Sequence, residues 1–275
     1  IDYITINRNP RTRILSKLIY LIKNKIKFRN ISNRVKNLKK ISTIRKDFEK
    51  SYKEKINAKI YFIDHHLSHA AGAVLFSNFE ECNYVTVDGF GDFVSTTFGA
   101  YKNGKFTNFD EVQYPHSLGL FYTAITQYLG FKNYGDEYKV MGLAPYGKPV
   151  FMDKMREIVK VEKKNLFKLN LDYFIHHTEG VEMTWLGKKI DIGQVYSKKL
   201  IELFGSERNK SDPINENHKN IASSAQAVYE EIFLNIINKL YEKNKSKNLC
   251  ISGGCGMNSV ANGKILKNSK NSNVY

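Results

Sequence analysis

The sequence predicts an α/β fold, a mixed sheet covered by helices. Three observations predict it. Through residues 59–87 a short strand pattern, a helical pattern and a second strand pattern alternate. Asn103-Gly104 then separates two alternating runs, which reads as a hairpin with a type I′ turn. Near the end, an amphipathic helical pattern over Ile221–Tyr241 leads into a short apolar strand, Leu249–Ser252.

Each element has a local reason. Ile14, Leu15, Leu18, Ile19, Leu21, Ile22, Ile26 and Phe28 recur at helical spacing within residues 8–50. They predict one or two basic amphipathic helices, with a turn at Asn30, Ser32 and Asn33. Lys59–Ile63 is a short β-branched and aromatic run and reads as a strand. His65–Ser77 follows Asp64 and is helical in pattern. Tyr84–Val87 reads as a buried strand ending at Asp88, and Thr96–Tyr101 and Lys105–Val112 flank the Asn-Gly turn. Ser117 suits the N-cap of a helix to Leu129, with Gly130 as its stop. Tyr134–Lys148 is punctuated by glycine and reads as a polar loop. Residues 150–215 show no clear period and are expected to form a peripheral helical insertion with a small hairpin. A final helix is expected from about Ser259 to Leu266, and Val274-Tyr275 resembles the start of a further strand. The expected division is a basic amphipathic segment, 1–57, and a main body, 58–275, of one domain.

Composition narrows the function classes. The chain has 275 residues, 42% of them apolar, ample for a packed core. No apolar run is long enough to span a membrane, and no leader peptide is visible. The charge is 43 − 27 = +16. Arg8–Lys50 alone holds fifteen Lys or Arg against two acids. Lys, Asn and Ile are abundant throughout, so this stretch reads as compositional habit, and neither nucleic acid nor membrane is an expected partner. Cys82, Cys250 and Cys255 are odd in number and form no CxxC, which suits a reduced, cytoplasmic setting. Cys255 reads as a small space-filler rather than a nucleophile.

Four constellations carry chemistry. In Asp64-His65-His66-Leu67-Ser68-His69, residues 65 and 69 share one helix face, a spacing that suits a divalent metal. The Glu of HExxH is missing, so a zincin protease is not indicated. In Val87-Asp88-Gly89-Phe90-Gly91-Asp92, an acid at a strand end is presented where α/β sheets bind ligands. A short helix between the two strands allows Asp88 to lie beside His65 and His69, so the three form a candidate His–His–Asp metal site. In residues 135–147 (GDEYKVMGLAPYG), Lys139 would neutralise a phosphate or carbamoyl oxygen. In residues 252–258 (SGGCGMN), a glycine pair at a strand-to-helix junction lets backbone N–H groups approach an anion, although neither a P-loop nor a Rossmann fingerprint is present.

Five stretches in order resemble the O-carbamoyltransferase family, which includes nodulation and antibiotic-tailoring enzymes: residues 64–77, 87–92, 117–131, 135–147 and 252–265. The resemblance implies an actin- and sugar-kinase-like (ribonuclease H-like) fold, related to the domain that transfers threonylcarbamoyl groups to tRNA. It implies that ATP and carbamoyl phosphate give a carbamoyl-adenylate in a separate C-terminal domain. The domain seen here then moves the carbamoyl group to a hydroxyl of a small-molecule or glycan acceptor, with a divalent metal, often iron. By position His65, His69 and Asp88 resemble the metal ligands, with His66 a rival for His65. Lys139, Gly253, Gly254 and Asn258 resemble residues lining the nucleotide and carbamoyl pocket. Tyr138 stands where the family more often has Gly. The opening strands, a later metal carboxylate and the adenylate-forming domain are expected to lie outside this chain, leaving it inactive alone or with very weak metal affinity. The alternatives are a tRNA threonylcarbamoyl transferase relative and an inactive binding module of the same fold.

Overall fold

A computed structural model describes residues 1–23, 43–162, 166–181, 183–186 and 189–275. The expected helical positions Ile26 and Phe28 and the turn at 30–33 lie outside the described residues.

The central sheet has five strands in the order β11 (Asn273–Val274), β10 (Asn248–Ser252), β3 (Glu81–Gly91), β4 (Val94–Lys102) and β5 (Lys105–Gln113). Strands β3, β4 and β5 form an antiparallel meander. Strand β10 adds in parallel to β3, and β11 adds in parallel to β10. The sheet is mixed, as the sequence pattern predicts. The β4–β5 turn places Asn103 and Gly104 at φ 52° and 75°, as a type I′ turn requires.

The sheet is covered on both faces. Along β3 alternate residues face opposite ways. Cys82 and Tyr84 pack with Cys250 and with Ala70, Ala73 and Val74 of the helix His65–Val74. Val85 and Val87 face the larger core, built on the helices Leu118–Tyr128 and Glu216–Lys243. Phe121, Ile125, Phe233 and Ile236 are completely buried there. Ser117 caps the first of these helices by accepting from the Leu120 amide at 3.1 Å.

Several elements differ from the sequence pattern. The opening segment is not all helical: β1 (Tyr3–Ile6) pairs in parallel with β2 (Lys59–Phe62). These two form their own sheet, so β2 is not part of the central one. The reason is that β3 already has β4 and β10 as neighbours, and β2 only half-buries alternate residues. The basic segment forms the helices Ile14–Lys23 and Ile44–Tyr52, neither with a fully buried residue. Strand β3 continues past Asp88 to Gly91, but its pairing with β4 breaks after Val87 and resumes only at Gly91. Asp88 therefore sits in a bulge rather than at a strand end. The glycine-punctuated loop holds a helix, Glu137–Leu143, and a 3₁₀ turn, Ala144–Tyr146. The last helix is split into Ser259–Asn262 and Ile265–Asn268. Within residues 150–215, the hairpin β6 (Val159–Val161) and β7 (Phe167–Leu169) and the strands β8 (Met183–Leu186) and β9 (Lys189–Ile192) form small separate sheets. Met155, Phe167, Tyr196 and Leu200 of this stretch join the main core.

Candidate functional site

Helix start and strand bulge meet at one point. Asp64 caps the helix His65–Val74, its carboxylate accepting from the amides of His66 and Leu67 at 3.0 and 3.1 Å. Arg13 fixes this cap, reaching Asp64 at 2.5 Å and Glu111 of β5 at 2.6 Å. The first turn of the helix then lies over the bulge of β3. His65 Nε2 is 2.9 Å from Asp88 Oδ2, His69 Nε2 is 3.4 Å from the same oxygen, and the two Nε2 atoms are 3.1 Å apart. Close approach of the ring to the strand requires Gly91, where a Cβ would lie 1.9 Å from His65 Cδ2.

The neighbouring imidazole has another fate. His66 is buried, with Nδ1 2.7 Å from the Thr86 hydroxyl and Nε2 3.0 Å from the Val94 carbonyl. Both its nitrogens are satisfied inside the sheet, and burial lowers its pKa to about 4. It is the ring of His65, not that of His66, that faces Asp88.

The electrostatics of the cluster are coupled. The hydrogen bond that His65 donates to Asp88 raises the His65 pKa against the opposing effect of burial. Burial alone would raise that of Asp88, but hydrogen bonds from His65, His69 and the Gly89 amide hold it well below the usual carboxylate range. His65 Nδ1 lies 3.2 Å from the Asn7 carbonyl, which can only accept. With Nδ1–H donated there, the Nε2 lone pair faces a carboxylate oxygen, and something positive must lie between them: a proton or a cation.

The donor set passes a simple geometric test for a cation. Ligand atoms about 2.1 Å from an ion are about 3.0 Å apart at right angles and about 3.4 Å apart in a tetrahedron. Of the separations here, 3.1 and 3.4 Å fall in that range and 2.9 Å lies at its lower edge. Two imidazoles and one carboxylate on one side leave the other positions open, the donor pattern of a facial triad. Among the described residues, His65, His69 and Asp88 form the one such group of metal-capable side chains.

The expected pocket residues are placed differently from one another. Gly254 donates its amide to Asp88 Oδ1 at 3.2 Å. Gly253 lies behind it at φ 93°, where a Cβ would meet the Val87 carbonyl at 2.3 Å. Asn258 caps the helix Ser259–Asn262 and exchanges hydrogen bonds with Gln226. Lys139 pairs with Asp136 at 2.7 Å. Among the described residues no hydrogen bond or ion pair joins Lys139 or Asn258 to His65, His69 or Asp88. Cys255 is free, and burial pushes its thiol pKa far upward, with Asp88 and Glu137 adding to this, so it is a poor nucleophile.

Sequence patterns missed several participants. Asp92 was inside a recognised motif but had no role, and its carboxylate accepts from the amides of Asn9 and His65. Asn7, Arg13 and Glu111 carried no signal, because what ties them to the site is chain topology rather than spacing. Gln226 was also missed. It joins Tyr122, Asn258 and Glu230 in a polar chain beside a cleft of about 330 Å³.

The family description "Carbamoyltransferase N-terminus" matches residues 14–275, so the chain belongs to the carbamoyltransferase N-terminal family. It is 37% identical over 218 residues to the uncharacterized protein sll1178 of Synechocystis, covering 78% of this chain and 33% of that protein. It is 30% identical over 211 residues to nodulation protein NolNO of Sinorhizobium fredii, covering 76% of this chain and 28% of that one. The chain thus spans about a third of the length of these relatives. Among solved structures, T. kodakarensis HypF aligns with 79% of this chain and 34% of its own, at 10% identity and a TM-score of 0.38. No helix among the described residues is long and apolar enough to cross a membrane.

Proposed function

We propose that this chain is the carbamoyl-transfer domain of an O-carbamoyltransferase. It moves a carbamoyl group from carbamoyl-adenylate to a hydroxyl of a small-molecule or glycan acceptor. The adenylate is made from carbamoyl phosphate and ATP in a separate domain. The observation that carries the proposal is the convergence of His65, His69 and Asp88 in a member of the carbamoyltransferase N-terminal family.

In this proposal the three side chains hold a divalent metal, with iron favoured. Bound there, the ion supplies Lewis acidity toward the carbamoyl carbonyl, on which negative charge develops during transfer. The protein's own part is orientation. Asn7 aims the His65 ring, Gly254 aims the Asp88 carboxylate, and Arg13 holds the start of the helix through Asp64. Gly253 and Gly254 keep side chains away from this side of Asp88, leaving room for a carbamoyl group. Lys139 contacts a phosphate only while sharing its charge with Asp136, and Asn258 acts through the polar chain with Gln226.

The test is transfer from a supplied donor. The chain, loaded with Fe²⁺, is incubated with carbamoyl-adenylate and a panel of sugar and natural-product alcohols, and carbamate adducts are sought by mass spectrometry. The proposal expects an adduct with at least one acceptor, none when carbamoyl phosphate and ATP replace the adenylate, and none for His69→Ala. No adduct, together with no metal bound, would favour an inactive binding module.

A further inference from the structure

We infer that Asp92 is the positioning residue of this site: it clamps the loop 7–9 to the first residue of the metal-site helix, so that the Asn7 carbonyl fixes the His65 ring with Nε2 toward Asp88. This rests on the metal reading of the site and adds a part that no family motif assigns. Asn7 and Asn9 even precede the stretch that matches the family, residues 14–275.

The clamp is built from one oxygen. Asp92 Oδ2 accepts from the Asn9 amide at 2.8 Å and from the His65 amide at 3.0 Å. One donor comes from the loop after β1 and the other opens the helix His65–Val74. The two segments are 56 positions apart in sequence and meet on a single carboxylate. Between them the Asn7 carbonyl reaches His65 Nδ1 at 3.2 Å. A ring nitrogen that donates to a carbonyl leaves the other as the ligating lone pair, which is how outer groups set the tautomer of metal-binding histidines.

The backbone at this turn is left-handed. Asp92 and Phe93 both have positive φ, 51° and 76°. Left-handed backbone at two successive non-glycine residues is unfavourable, and such strain gathers where function demands a particular side chain. Asp92 tolerates this conformation, as Asn103 does at the first position of its own turn, whereas a bulky residue such as Phe93 rarely adopts it. What singles out Asp92 is its carboxylate, whose Oδ2 accepts from both amides.

That contrast supplies the test, carried out on the full chain. Asp92→Gly relieves the backbone while deleting the clamp. Asp92→Asn keeps an acceptor oxygen and tolerates the same φ. Two measurements are made: Co²⁺ affinity from the ligand-field absorption of the titrated protein, and hydrogen exchange of the Asn9 and His65 amides in metal-free protein. The expected result for Asp92→Gly is an unchanged or raised Tm, faster exchange at both amides, and a Co²⁺ affinity about 10- to 100-fold weaker. Asp92→Asn should recover most of both. Asp92→Gly with parental Co²⁺ affinity would overturn the inference, because a turn-only role predicts that outcome. If the parental protein itself fails to bind Co²⁺, the metal reading falls. Unchanged exchange at Asn9 and His65 in Asp92→Gly would separately remove the clamp.

Discussion

Replacing Gly91 by alanine should disable the candidate site while leaving the fold in place. An added Cβ would lie 1.9 Å from His65 Cδ2 and 2.0 Å from Cγ. Non-bonded carbons prefer about 3.5–4.0 Å, so the ring must retreat by about 1.6 Å or more. Metal sites tolerate errors of only about 0.2 Å in ligand distance, so His65 would cease to be a ligand. The retreat also breaks the bonds to Asn7 and Asp88. On ordinary net values these are worth about 1 kcal/mol for the first and about 1.5–3 kcal/mol for the second, charged one. Together that is a loss of about 2.5–4 kcal/mol, which corresponds to a Tm lower by roughly 5–16 °C in a domain of this size. Co²⁺ titration should show affinity weaker by about 100-fold or more, beyond the usual effect of outer-shell changes. Two residues earlier, a Cβ on Gly89 would meet nothing within 4 Å, so Gly89→Ala serves as the control and should behave like the parental chain. Parental Co²⁺ affinity in Gly91→Ala would refute the reasoning.

Other predictions concern neighbouring parts of the molecule. His69→Ala should abolish tight Co²⁺ binding with little change in Tm, since this ring is about a third exposed, whereas His66→Ala should lower Tm and spare most metal affinity. Stability should fall on acidification. Burial lowers the pKa of His66 and His176 to about 4, below the unfolded value near 6.5, so the unfolded chain takes up protons first. Their contribution is therefore full above about pH 6.5 and is lost as pH falls toward 4, at up to about 3 kcal/mol for each ring; urea melts across that range would check it, and a flat profile would contradict it. Phe121→Ala, at a fully buried position, should cost about 3–5 kcal/mol in the same assay.

The sequence by itself determined the central hairpin, the capped helix after Ser117 and the long helix before β10, because these rest on local signals: an Asn-Gly turn, an N-cap serine, a 3.6-residue period. It also fixed the chemical character of the site, since His65 and His69 share a helix face whatever surrounds them. Tertiary structure decided the rest. The choice between His65 and His66 depended on which ring met Thr86 and which met Asp88, and that follows from how the helix lies across β3. The place of β2 depended on which sheet edges were already taken. The roles of Asn7, Arg13 and Asp92 arise from contacts between segments far apart in sequence, and spacing along a chain carries no information about contacts that only packing creates.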